Sequence, residues 1–140
     1  MPIDAYTFRL AWRWTQPTHN VLPPEAMAQI TPIAQLMAPA GVTARGELDR
    51  TLFEQVRITS ADGSCEEGTD WLRTLPITLS EQVTVRWDAS TAVNTTWEVF
   101  TQYWDDFCYP GSDDIEVFPA SNAWLLLYHH WAQFEWARRR

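Results

Sequence analysis

Five carboxylates crowd one short stretch of this 140-residue chain, and chemistry would be expected there first. Asp105 and Asp106 close an aromatic segment, and Asp113, Asp114 and Glu116 follow the turn Tyr109-Pro110-Gly111. Such a knot of acids has three chemical uses. Carboxylate oxygens can bind a divalent cation. A suitably spaced pair can do acid/base work on a glycoside. A negative patch can dock a partner rich in Arg or Lys. The structural alternative is a solvated turn in which Asp113 or Asp114 caps local backbone.

The remaining reactive residue types form no complete motif. Asp62, Glu66, Glu67 and Asp70 sit in ADGSCEEGTD, residues 61–70, which reads as a polar loop whose spacing does not match an EF-hand. His129 and His130 are neighbours on an expected strand, so they point to opposite faces and cannot jointly hold one metal; His19 is the third histidine. Cys65 and Cys108 form no Cys-x-x-Cys pair and read as two reduced thiols, Cys108 on the apolar side of a helix. Neither a nucleophile elbow nor a phosphate-cradling glycine loop is present. The expectation is therefore no catalytic residue, no metal and no cofactor. The candidate partner-binding set is Trp104, Asp105, Asp106, Tyr109, Asp113, Asp114 and Glu116.

Those side chains need a scaffold, and the hydrophobic periodicity supplies one. Tyr6 to Trp14 alternates with period two and predicts a strand ending at Gln16-Pro17, with Arg9 and Arg13 on its wet face. Val21 to Ala40 predicts a helix, kinked or restarted at Pro32 and stopped by Pro39-Ala40-Gly41. Gly46 to Ser60 predicts a second strand with Leu52, Val56 and Ile58 inward and Arg57 outward, and Val83 to Trp87 a third. Asp88, Ser90 or Thr91 can then cap a main helix in which Val93, Trp97, Phe100, Trp104 and Phe107 form one apolar stripe. On that reading Asp105 and Asp106 oppose the macrodipole at a helix C-terminus. Ile115–Phe118, Trp124–His130 and Gln133–Arg138 predict an antiparallel meander turning at Ser121-Asn122 and Trp131-Ala132. The sum is a single α+β domain over residues 1–140: a mostly antiparallel sheet of about six strands with two principal helices on one face.

Composition narrows the partner. A net charge of −8, with all ten cations Arg, argues against a nucleic-acid backbone and suits a basic partner. Nine Trp is high: packing of strands and helix would account for most, and those left outside can serve as anchors; Trp97 and Trp104 are expected inside, and some of Trp12, Trp14, Trp131 and Trp136 exposed. No apolar run is long enough for a membrane span, and the N-terminus lacks the pattern of a signal peptide, so the cytoplasm is the expected compartment.

Two segments, Trp97 to Asp114 (WEVFTQYWDDFCYPGSDD) and Ala123 to Arg139 (AWLLLYHHWAQFEWARR), resemble small acidic bacterial immunity-type proteins of polymorphic or secreted toxin systems. The resemblance implies a cytosolic, non-enzymatic protein that neutralises a cognate toxin by binding it, and it carries over no catalytic residue. The expected function is thus occlusion of a toxin's active site by the acidic knot and exposed aromatics, by a monomer or weak homodimer. The alternatives are a small carboxylate-based metal-dependent enzyme or metal-binding domain, and a structural homodimer.

Overall fold

The computed structural model describes residues 8–15, 22–34 and 38–140. It is an α+β fold built on one antiparallel sheet. Its strands are β1 (Thr31–Ile33), β2 (Phe53–Ser60), β3 (Gln82–Asp88), β4 (Thr91–Thr96), β5 (Ile115–Pro119), β6 (Trp124–His129) and β7 (Gln133–Arg139). The seven strands lie in the order β1-β4-β3-β5-β6-β7-β2. Five short helices accompany them among the described residues: α1 (Trp12–Thr15), α2 (Pro24–Met27), α3 (Cys65–Leu72), α4 (Trp97–Gln102) and α5 (Trp104–Phe107).

The C-terminal meander forms as expected. β5, β6 and β7 pair in sequence order, with Val117 opposite Leu126 and Leu126 opposite Trp136. All six residues of β6 are buried, because this central strand is covered on both faces. On one face lies the larger core, where Trp124, Leu126, Tyr128, Phe134 and Trp136 meet Trp97, Phe100, Trp104 and Phe107 from α4 and α5. On the other face Phe118, Leu125, Leu127 and Ala137 are closed over by Leu48 and Phe53, with Val42 packed against them. Each buried indole contributes on the order of 4 kcal/mol of apolar burial, so the Trp97–Trp124 contact, with centroids 5.4 Å apart, is a principal anchor of helix to sheet.

Five parts of the chain depart from the periodicity reading. The main helix expected from Val93 to Phe107 begins as strand β4, which forms a hairpin with β3. Asp88 accepts hydrogen bonds from the Ser90 amide (2.9 Å) and hydroxyl (3.0 Å), which fixes the turn. The run Thr91-Ala92-Val93-Asn94-Thr95-Thr96 is rich in β-branched residues, and this outweighs the 3.6-residue spacing. The helix starts only at Trp97, where the Thr96 hydroxyl accepts from the Val99 amide at 3.2 Å. It breaks at Tyr103 (φ −121°, ψ 27°), and α5 begins.

The expected helix over Val21–Ala40 is instead the single turn α2 followed by edge strand β1, which pairs with β4. Pro32 is tolerated there because an edge strand leaves some N–H groups unpaired. Residues 21 and 35–37 of that reading lie outside the described residues. The expected strand Tyr6–Trp14 also fails: Phe8 to Ala11 turn and lead into α1. Tyr6, Thr7 and the expected end at Gln16-Pro17 lie outside the described residues, as does His19. Arg13, expected on a wet face, is 5% exposed.

The expected acidic loop is half helix. The Ser64 hydroxyl accepts from the Glu67 amide at 3.1 Å and starts α3, whose first turn carries Glu66 and Glu67, a favourable end for acids. Of the expected inward set Leu52, Val56 and Ile58, only Val56 packs against a core. A bulge between Glu54 and Arg57, with Gln55 at φ 56°, shifts the register. Leu52 and Ile58 are left exposed, Val56 half-buried, and Phe53 becomes the buried residue.

Candidate partner-binding site

The break at Tyr103 changes the meaning of Asp105 and Asp106. They lie in the first turn of α5 and not at the C-terminus of a long helix, so the dipole cost inferred from the sequence disappears. Trp104, at the head of α5, is buried against α3. Its indole donates to the Cys65 carbonyl at 2.8 Å, and a Cβ built at Gly68 would strike its ring, so only glycine lets the two elements approach this closely. Asp105 is half-buried beside Cys65, whose thiol donates to it at 3.2 Å. Burial, and then this carboxylate, push the Cys65 thiol up to about 11, so Cys65 stays a protonated donor at neutral pH. Cys108 is fully buried and is likewise pushed up by burial. Asp106 is buried, and its backbone carbonyl accepts from the Trp14 indole at 3.2 Å.

The turn after α5 is closed by Asp113. Its carboxylate accepts from the Tyr109 amide at 2.9 Å, while its own amide donates to the Tyr109 carbonyl at 3.1 Å. The same carboxylate receives a forked pair from Arg13, at 2.6 and 3.2 Å. The Arg13 guanidinium also lies 3.8 Å from the Tyr109 ring centroid and donates to the Phe107 carbonyl at 3.2 Å. Both partners are almost fully buried. This pair therefore ties α1 to the acidic turn from beneath, and charge, fork and ring stack reinforce one another. Burial and the neighbouring acids, opposed by Arg13, leave the Tyr109 hydroxyl above its usual range.

The other two acids leave the turn in different directions. Glu116, on β5, is half-buried and pairs with Arg86 on β3, its cross-strand neighbour. Asp114 is exposed. It accepts from the His130 backbone amide at 3.0 Å and faces His130 Nδ1 at 3.0 and 3.2 Å. The Gly111 amide, at φ +83°, donates to the His130 carbonyl at 2.7 Å, so the acidic turn is fastened to the β6–β7 hairpin tip.

That tip carries Trp131, at 54% the most exposed large apolar side chain among the described residues. Its ring is nevertheless fixed. It stacks on His129 (centroids 4.4 Å, 4°), meets His130 edge-on at 5.0 Å, and donates from Nε1 to Gln133 at 3.0 Å. His129 is buried and faces Glu135 at 3.2 Å, and Glu135 takes a second partner from Arg50 at 3.1 Å. The hydrogen bond to His129, together with the Arg50 guanidinium, holds the Glu135 carboxyl below its usual range against the opposing effect of burial. On the far side of the turn Trp12, 37% exposed, stands edge-on to Tyr109 at 6.0 Å.

The structure thus brings Tyr109, Asp113 and Asp114 into one turn. It separates Trp104 and Asp106, which are interior, and Glu116, which is tied to β3. The expected pair of opposed histidine faces is present: His129 is inside and His130 outside. Of the four doubtful tryptophans, Trp12 and Trp131 are exposed and Trp14 and Trp136 buried. Sequence reasoning missed His130 and Arg13. A turn signal at Trp131-Ala132 pointed to the tip; nothing local marked Arg13, whose acid partner is 100 residues away. Among the described residues no group of three or more His, Cys, Asp or Glu side chains is placed to hold a metal ion, and no helix is long and apolar enough to cross a membrane. Comparison of the chain with protein-family models, curated proteins and solved structures found no match.

Proposed function

We propose that this chain is a non-enzymatic binding protein of the immunity type, which neutralises a cognate protein toxin by covering its active site with the end of the sheet that carries the acidic turn. One observation carries the reading: two exposed tryptophans, Trp12 and Trp131, flank a turn that the buried Arg13–Asp113 ion pair holds rigid from below. Rigid aromatic anchors beside fixed charge are the make-up of binding hot spots, because little entropy is lost on association. The net charge of −8 favours a basic toxin surface, such as that of a nuclease whose own substrate is anionic, and a cytoplasmic place of action. Within this reading Asp105, Tyr109, Asp113 and Asp114 form or support the contact surface, and Trp104, Asp106 and Glu116 position it.

The test is affinity for the product of the neighbouring gene. Trp131→Ala should weaken binding by about thirtyfold, the weight of one hot-spot residue. Asp105→Asn with Asp114→Asn should weaken it further and flatten its dependence on salt. Affinity and salt dependence unchanged in both variants would remove this end of the sheet as the interface.

A second reading, a structural homodimer, is favoured by one feature: β2 is an edge strand on which Ile58 is 48% exposed, and Leu52, just before the strand, is 41% exposed. Light scattering at two concentrations separates it from a monomer.

A further inference from the structure

Asp113 and Asp114 are consecutive residues that the turn sends to opposite sides. Asp113 meets Arg13, an internal cation that forks onto the carboxylate while its plane lies over an aromatic ring. On the outside Asp114 faces an imidazole, that of His130, where Asp113 has a guanidinium. Its carboxylate is 65% exposed and oriented by the His130 amide. Beside it, through the His130 ring, is the fixed and exposed indole of Trp131.

We propose that the Asp114–His130–Trp131 rim is a receptor for an arginine side chain of the partner protein, engaged as Arg13 is engaged within the chain. This rests on the reading of that end as a protein-binding surface. Arginine is the occupant because its guanidinium is planar: it can lie on an indole and present two N–H groups to a carboxylate at once, whereas an ammonium acts as a point charge. Charge agrees, since a chain of net charge −8 attracts a cationic partner and repels a second copy of itself. Both receptor groups are held before the ligand arrives. Trp131 is set by the His129 stack and by Gln133, and Asp114 by a backbone donor, so ordering them costs little on binding. The His130 imidazole, on the same carboxylate, must share Asp114 with the incoming guanidinium.

The experiment is a titration of the ¹⁵N-labelled full chain with terminally blocked tri-arginine, followed at the backbone amides of Gly111 and His130. Tri-lysine serves as the comparison. Tri-arginine should shift these amides and bind more tightly than tri-lysine. Trp131→Ala and Asp114→Asn should each weaken it about tenfold, the size of one well-placed cation–π contact or charged pair. Both side chains are exposed, so both variants should fold, and a retained amide spectrum checks this. Equal binding of the two peptides, tri-arginine binding that neither variant weakens, or no shift at Gly111 and His130 would each overturn the receptor. The two proposals fail separately. A toxin that binds with full strength to Trp131→Ala and to Asp114→Asn, yet weakly to the variant that also carries Asp105→Asn, removes the arginine receptor and leaves the immunity reading. A working tri-arginine site with no affinity for the toxin does the reverse.

Discussion

Asp113 and Asp114 share a peptide bond and almost nothing else. Asp113 is buried, its carboxylate filled by a forked arginine and a backbone amide. Asp114 is exposed and held by one histidine. The difference is one of purpose: the inner acid fixes the turn, and fixing it leaves the outer acid and Trp131 in a defined place on the surface. A carboxylate inside a protein must have its cation supplied by the chain, because burial without a partner costs several kcal/mol. A carboxylate at the rim can wait for a cation from elsewhere.

The contrast can be broken most forcefully at Arg13. Arg13→Ala leaves Asp113 buried without its cation and should lower stability by about 3–5 kcal/mol in urea unfolding. Arg13→Met combined with Asp113→Leu should recover much of that loss, because neither charge is then buried alone. A single variant that unfolds like the wild type would show that the inner pair does not hold the turn.

A smaller effect should appear under acid. The His129 hydrogen bond, with the Arg50 guanidinium, holds the Glu135 carboxyl below its ordinary value of 4.5, so the folded state binds that proton less readily than the unfolded state. Its stabilising contribution is complete above pH 4.5 and is lost as the pH falls through the lower folded value. Glu135→Gln should therefore be less stable at neutral pH and show a flatter stability profile below about pH 4.5. Profiles that run parallel in urea melts between pH 3 and 7 would remove Glu135 as the acid-sensitive support beneath Trp131.

The smallest effect belongs to Asp114. Asp114→Asn should change stability by no more than about 0.5 kcal/mol, as expected for an exposed pair, while it weakens the binding of a basic partner. A large loss of stability would mean that the outer acid, too, is structural.

The sequence exposed half of this contrast. The β5-β6-β7 meander was legible because alternation, an apolar central run and the turn at Trp131-Ala132 all agree. The tip that carries the rim followed from that. Val93 to Phe107 was not legible, because Val93 and Trp97 satisfy a strand period and a helix period equally, and β-branched residues settled the choice. The break at Tyr103, which turns Asp105 and Asp106 from a helix end into a helix start, has no proline or glycine to announce it. The inner ion pair was invisible for a different reason. Arg13 looks like an ordinary wet-face cation in a short alternating run, and only the closed fold brings it to Asp113.

The bulge at Gln55 carries one more consequence. Of the two strands that border the sheet, β1 has three residues and a proline, and β2 has eight residues bent by a left-handed residue near its start. A flat, straight border is what lets sheets from different molecules stack into fibrils, and neither border here is both long and straight. Gln55 thus bends the border where Ile58 lies open, and replacing that bend with a regular strand is expected to make edge-to-edge stacking easier.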